Sequence, residues 1–209
     1  ELDGRKETFQ ELVQKGLGGF LVRNMESYGI LDAIGLTSRI VLDANIYTMN
    51  NRAEAFWMKK GILGDTVPLE LNAKELAHRN NKNSELTVYG YTPMMVSVQC
   101  VQKTMDHCNH ACVQYVLKDR YQKEFRGVCS CEFCYNTIYN TLPTSLLKEK
   151  EKAEKLGVKA YRLSFTTETQ QETEKIVRAF VDVYLRGQKP DGQMQTEETT
   201  KGHFQRGVE

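Results

Sequence analysis

The residues able to do chemistry are gathered in one stretch. Ser97 to Asn136 reads SVQCVQKTMDHCNHACVQYVLKDRYQKEFRGVCSCEFCYN and holds all six cysteines of the chain: Cys100, Cys108, Cys112, Cys129, Cys131 and Cys134. Cys131-Glu132-Phe133-Cys134 is a CxxC pair whose sulfurs can meet at one metal ion or cluster, and seven residues separate Cys100 from Cys108. Thiolates from two separated pairs are the donor set of a closed zinc site or of a [4Fe–4S] cluster. A zinc ribbon usually has two CxxC knuckles and this chain has one, so spacing favours the cluster. Cys112 and Cys129 are surplus, either small buried residues or alternative ligands. His107 and His110 flank Cys108, which makes a mixed Cys/His zinc site the rival. Buried thiols that hold nothing are the plain alternative. A thioredoxin-type role is weaker, because Cys134 does not open a helix after a central strand.

Other candidates are scattered. Asp43 and Glu70 end neighbouring apolar runs and could act as an acid–base pair, or could cap loops. Arg162 suits anchoring of a carboxylate or phosphate through its planar fork, with a salt bridge to Glu70 or Asp43 as the rival reading. His203 lies in the closing KGHFQRGVE beside Phe204 and Arg206, as a substrate contact or as part of a docked tail. Asn45 and Asn72 either read polar substrate edges or cap turns. His78 reads as a surface helix residue, and Ser97 as a loop serine. Lys118, Arg120, Lys123 and Arg126 interleave with Tyr115, Tyr121 and Phe125, a mixture that suits RNA phosphates and bases, although Asp119 and Glu124 dilute it. A solvated hairpin face is the bland reading. No HExxH and no GxSxG supports a familiar protease.

The elements that must position these residues follow from the apolar pattern. With 209 residues, 40% hydrophobic and 26% charged, the chain is expected to be an ordinary soluble globular protein of one or two domains. A formal net charge of +1 excludes a protein-wide basic field. No apolar run of about 18 residues exists, so no membrane span is expected. ELDGRKETFQ is not an export signal and lacks a starting Met, which reads as a fragment or processed product. Clustered cysteines without an export signal point to a reducing cytoplasm and to metal binding.

Strands are expected at 19–23, 39–44, 67–71, 86–89 and 160–165. Helices are expected at 5–15, 27–34, 52–60, from Asn72 with Glu75 as a capping box, at 142–156 with Pro143 in the first turn, and from a Thr167/Gln170 cap to about Arg186. Residues 113–120 and 125–129 can pair as a hairpin across 121–124. Alternating strands and helices predict an α/β fold with parallel strands. Polar residues after apolar strands (Arg23, Asp43, Glu70, Arg162) resemble the C-terminal rim of a barrel. A complete eightfold barrel takes about 250 residues. The expectation is therefore a partial (β/α) TIM-type barrel over 1–186, with a cysteine-rich hairpin insertion at 97–136, a polar linker at 187–200 and a tail at 201–209. Its open edges would favour homo-oligomers.

The segments PLELN (68–72), ELTVYGYTPMMVSVQC (85–100), YVLKDRYQKEF (115–125), CEFCYNTIYNTLPTSLL (131–147), YRLSFTTET (161–169) and KGHFQRGVE (201–209) resemble the collagenase-like peptidases, the "U-thirty-two" peptidase family. The resemblance runs over most of the chain from about Gly19. It implies the C-terminal part of a (β/α) barrel and, by the family's name, a protease or collagenase. Better-understood members carry a [4Fe–4S] cluster on four cysteines and serve oxygen-independent hydroxylation of tRNA, ribosomal RNA or a quinone ring, the RNA members with prephenate. Carried over by position, the ligands are Cys100, Cys108, Cys131 and Cys134. A cluster held by four protein cysteines has no open iron site, so it would act by electron transfer or by loss of a ligand. Three readings stand: an iron–sulfur RNA hydroxylation enzyme, a metal-dependent protease acting on peptides with structural zinc on the cysteines, and a non-catalytic domain stapled by metal.

Overall fold

The computed structural model describes residues 2–190 and 198–208. The chain divides into two compact units interleaved in sequence. The first comprises Glu1–Thr87, Glu151–Arg162 and Gly202–Glu209, and the second Val88–Lys150 and Leu163–Lys201. Compactness thus draws different boundaries from the linear ones expected at 186 and 200. Much of the expected linker, residues 191–197, lies outside the described residues.

In the first unit α1 (Leu2–Gln14) leads into β1 (Phe20–Val22), α2 (Met25–Ala33), β2 (Ile40–Leu42), α3 (Asn51–Lys59) and β3 (Gly64–Thr66). Then come α4 (Ala73–Ala77) and β4 (Ser84–Gly90), a strand in which the division between the units falls. β1 pairs with β2, β2 with β3 and β3 with β4, all parallel, as the alternating pattern predicts. The core of this unit is Val22, Leu31, Ile40, Leu42 and Trp57, with Phe9 and Phe20 packed edge-on against one another beside it. Local signals mark the helix starts. Asn24 and Asn50 accept amide hydrogens from the first turns of α2 and α3, and Asn72 forms the expected capping box with Glu75.

The third strand is not at 67–71. Val67 N–H makes a last bond to Glu85 O at 2.9 Å, and Pro68 then has no N–H to continue the ladder. The strand lies just before, in the polar but buried Gly64-Asp65-Thr66. Gly64 is required there, because a Cβ would stand 2.2 Å from Asn83 O.

In the second unit β5 (Pro93–Ser97), α5 (Val101–Thr104), β6 (Gln114–Lys118), β7 (Glu124–Ser130) and β8 (Tyr135–Tyr139) build a four-stranded antiparallel sheet in the order β5-β8-β7-β6, with α5 attached. The predicted hairpin is β6–β7. Asp119 closes it by accepting the amides of Tyr121 at 2.8 Å and Lys123 at 2.9 Å.

No helix begins at Leu142. Thr144–Ser145 forms β9, antiparallel to Tyr89–Gly90 of β4, and Thr200 bridges beside it. Leucine before Pro143 is biased to extended backbone, which suits this strand better than a helix start. A 3-10 turn (Leu147–Glu149) then leads to α6 (Lys150–Lys155) and β10 (Ala160–Ser164). The last helix, α7 (Gln170–Phe180), is capped by Thr169 and Glu172 rather than by Thr167 and Gln170. Thr167 is engaged elsewhere, accepting from Arg126 at 3.2 Å. α7 ends in a single π-turn, Val181–Leu185.

The first sheet runs β1-β2-β3-β4-β10, with β9 also on β4, and does not close on itself. The fold is mixed α/β with a parallel-strand sheet and helices. No helix among the described residues is long and apolar enough to cross a membrane.

Candidate metal centre

The antiparallel sheet brings the cysteines together. In β7–β8, Cys129 stands opposite Asn136, and Gly127 opposite Ile138; in β6–β7, Tyr115 stands opposite Gly127. Residues directly opposite share a face, so Cys129, Asn136, Ile138 and Tyr115 lie on one side of the sheet. Cys100, at the N-cap of α5, brings its Sγ within 3.6 Å of Cys129 Sγ. Cys131 opens the 3-10 turn after β7, and these three buried cysteines form a cluster with Val113 and Tyr115 against it.

Three ligand atoms converge at the edge of that cluster. Cys108 Sγ, a ring nitrogen of His110 and Cys131 Sγ all lie within 4.8 Å of one another, with Cys108 and His110 exposed and Cys131 buried. A tetrahedral ion bonded at about 2.3 Å to sulfur and about 2.0 Å to nitrogen draws its ligands to roughly this spacing. The backbone is bent to bring them there. Asp106, His110 and Cys134 all have left-handed φ, at 54°, 56° and 51°. Non-glycine residues adopt this conformation at a cost, and such residues gather at ligand-holding sites.

The thiols respond to the crowding. Burial, then Cys108, Cys134 and Cys100, push the Cys131 thiol up. Burial and the neighbouring Cys100, with smaller contributions from Cys131 and Cys112, push Cys129 up to about 12. Cys100 is lowered, chiefly by the Lys103 amide in the first turn of α5, with help from Cys129. A cation among these sulfurs reverses the penalty, because thiolates that repel one another are attracted to it. The Cys108–His110–Cys131 group could therefore bind a metal ion.

Of the predicted ligands, Cys108 converges with Cys131, Cys100 shares its buried cluster, and Cys134 is not in either group. His110 joins Cys108 and Cys131, as the mixed-site alternative required, while His107 is not in that group. Cys112 is exposed and acts on Cys129, which is itself sealed at 0% exposure. Sequence reading placed Tyr115 only among the aromatics of the basic hairpin and gave no weight to Gly127 or Asn136. Gly127 is where a Cβ would meet the Tyr115 ring at 2.3 Å, so the ring lies across bare backbone. Gly127→Ala is expected to displace that ring and to lower stability by about 1–3 kcal/mol, read from the urea midpoint.

The remaining candidates sit elsewhere. Arg162 is the centre of an ion-pair group, donating to Asp43 at 2.7 Å and to Glu85, and Arg23 reaches Asp43 at 3.0 Å. Asp43 is thus neutralised by arginines, and the salt-bridge reading of Arg162 holds with Glu85 in place of Glu70. Glu70 follows β3 in a turn, and its buried Oε2 has no hydrogen-bond partner. His203 Nδ1 pairs with Gly207 O at 2.9 Å while Phe204 beside it is buried, which is a docked tail. His78 is exposed and bonded to Lys74 O, Asn72 caps α4, Asn45 is exposed in a 3-10 turn, and Ser97 Oγ accepts from the Gln99 amide. In the basic hairpin Lys118 pairs with Glu124 at 2.9 Å, Arg120 stacks on Tyr121 and Arg126 stacks on Tyr91. Sequence reading missed the buried Arg79–Asp65 pair, for which an aspartate inside a three-residue strand is the only local signal.

No protein-family model, curated protein or solved structure matches this chain.

Proposed function

We propose that this chain is the metal-bearing part of a collagenase-like peptidase family protein, its parallel sheet an arc of a (β/α) barrel. In this reading it carries a [4Fe–4S] cluster on Cys100, Cys108, Cys131 and Cys134 and serves oxygen-independent RNA hydroxylation in a reducing cytoplasm. The observation that supports it is the position of Cys131, which converges with Cys108 and is buried in one cluster with Cys100. When bound, the cluster supplies one-electron chemistry. The chain's own part is to hold the sulfurs at the edge of a rigid antiparallel sheet and to keep Cys100 and Cys131 from water. The hairpin bearing Lys123 and the stacked Arg120–Tyr121 pair offers phosphate and base contacts, and a small carboxylate such as prephenate is the co-substrate implied by the family resemblance.

A second reading is favoured by the convergence of Cys108, His110 and Cys131. There a zinc ion sits on these three and a fourth cysteine, as a structural staple or as part of a peptidase. Metal and sulfide analysis of anaerobically purified protein separates the two. The first expects brown protein with stoichiometric iron and sulfide. Stoichiometric zinc without iron overturns it. His110→Ala sharpens the test, since it leaves the four-cysteine cluster in place but strips the mixed zinc site.

A further inference from the structure

The antiparallel sheet runs β5-β8-β7-β6, and among the described residues no strand lies on the outer side of β5. The sequence of β5 does not suit an edge. Pro93-Met94-Met95-Val96-Ser97-Val98 is a nearly continuous apolar run, the pattern of a strand covered on both faces. Yet Met94, Met95, Val96 and Val98 are 60%, 52%, 64% and 87% exposed. Met95 and Ser97 stand opposite Ile138 and Asn136 of β8, on the face that carries Cys129, while Val96, opposite Thr137, lies on the other face. Apolar groups thus meet water on both faces of one edge.

Edge strands are usually defended by charge, proline or a bulge, because their unpaired backbone groups recruit another strand. Pro93 and the irregular register between Pro93 and Met95 blunt only the first end of β5. From Leu86 to Gln102 the sequence carries no charge, so nothing along this edge repels an identical strand. The opposite edge differs. β6 ends in Lys118, and the charged turn residues Asp119 and Arg120 follow it. The association expected of an open barrel concerned the parallel sheet, whose edge strand β1 is only three residues long. The edge that these exposures single out belongs to the antiparallel sheet.

We propose that β5 pairs antiparallel with β5 of a second copy of this chain, about a two-fold axis at Val96, joining two four-stranded sheets into one. An antiparallel strand set against its own copy is self-complementary, so one surface supplies both halves of the interface. With the axis at Val96, that residue faces its own copy and Met94 faces Val98 of the other chain, so the three most exposed of these side chains cover one another. The same axis leaves Pro93, which has no N–H, outside the paired stretch. An uncharged edge also offers a charged peptide no ion pair, whereas it matches itself. An interface built on one short strand is at the small end of specific interfaces, so the dimer forms reversibly at micromolar concentration. The assignment goes beyond the metal reading and stands whatever the sulfurs hold.

The test is sedimentation of the full chain under reducing conditions, so that the exposed Cys108, Cys112 and Cys134 form no cross-links. The mass is expected to rise from the 24.0 kDa of one chain towards twice that value between about 1 and 100 µM. Val96→Lys and Val96→Glu are each expected to stay monomeric, because like charges then meet on the axis. Mixing the two is expected to restore the dimer, which shows that both are folded and that position 96 faces its own copy. Val116→Lys, at a 54% exposed position on the opposite edge, is expected to leave the dimer intact. A wild type that remains monomeric at about 100 µM overturns the proposal. So does a dimer that survives Val96→Lys, a mixture that stays monomeric, or a Val116→Lys variant that dissociates as Val96→Lys does.

Discussion

Cys131→Ser is expected to leave the purified protein with less than about a tenth of the wild-type bound metal, whichever metal that is, because a lost thiolate opens a site that needs all its ligands. Cys131 is common to both sets of donors. It belongs to the Cys108–His110–Cys131 group, and it is buried in one cluster with Cys100. It is also the buried member of its group, so no water replaces its sulfur cheaply. Cys112→Ser is the matched control. Cys112 is exposed and outside the group, and its replacement is expected to leave metal content within about a fifth of wild type. Metal analysis with a far-ultraviolet spectrum, to show that both variants stay folded, decides the matter. If Cys112→Ser loses metal as Cys131→Ser does, the ligand set is wrong.

Arg79→Met is expected to destabilise the first unit by about 3–5 kcal/mol, the cost of leaving a buried charge without its partner. Arg79 and Asp65 side chains are 2% and 1% exposed and form a salt bridge. The guanidinium is used in full. It donates to Thr48 O at 2.8 Å, Thr48 Oγ1 at 3.0 Å, Asn80 O at 3.1 Å, Asn81 Oδ1 at 3.0 Å and Ser84 Oγ at 2.9 Å. Ser84 Oγ in turn donates to Asp65 Oδ1 at 2.6 Å, and Thr48 Oγ1 donates to Asp65 Oδ2. Removing the cation strands Asp65 among hydroxyls inside the sheet. The total stability of a domain is only about 5–15 kcal/mol, so this is a large share. Trp57, the single tryptophan, is in the core of the same unit and reports its unfolding in urea. Asp65→Leu together with Arg79→Met is expected to recover part of the loss, since an apolar pair removes both buried charges. A cost for Arg79→Met below about 1 kcal/mol contradicts this account of the network.

What could be read from sequence was local. The apolar runs of β1, β2, β4 and β10 and the Asn72–Glu75 capping box are written in neighbouring residues, so periodicity and capping rules find them. The β6–β7 hairpin was legible for the same reason, with Asp119 supplying its turn. β3 was not legible. Gly64-Asp65-Thr66 looks like a loop, and only the guanidinium of Arg79, fourteen residues on from Asp65, makes a buried aspartate tolerable in a strand. Thr144–Ser145 was read as helix because its strand partners, Tyr89 and Gly90, are far away in the chain.

The same division holds at the metal centre. Sequence alone determined that six cysteines fall in one forty-residue stretch and that a CxxC lies among them, which is enough to expect a metal or cluster. Only the tertiary structure decided how the sulfurs sort. Pairing of β7 with β8 and with β6 carried Cys129 inward, the backbone turns left-handed at His110 and Cys134, and Cys131 came to belong both to the buried cluster with Cys100 and Cys129 and to the group with Cys108 and His110. Spacing cannot supply that ranking, because which thiols meet depends on register and on backbone turns that residue counts do not contain.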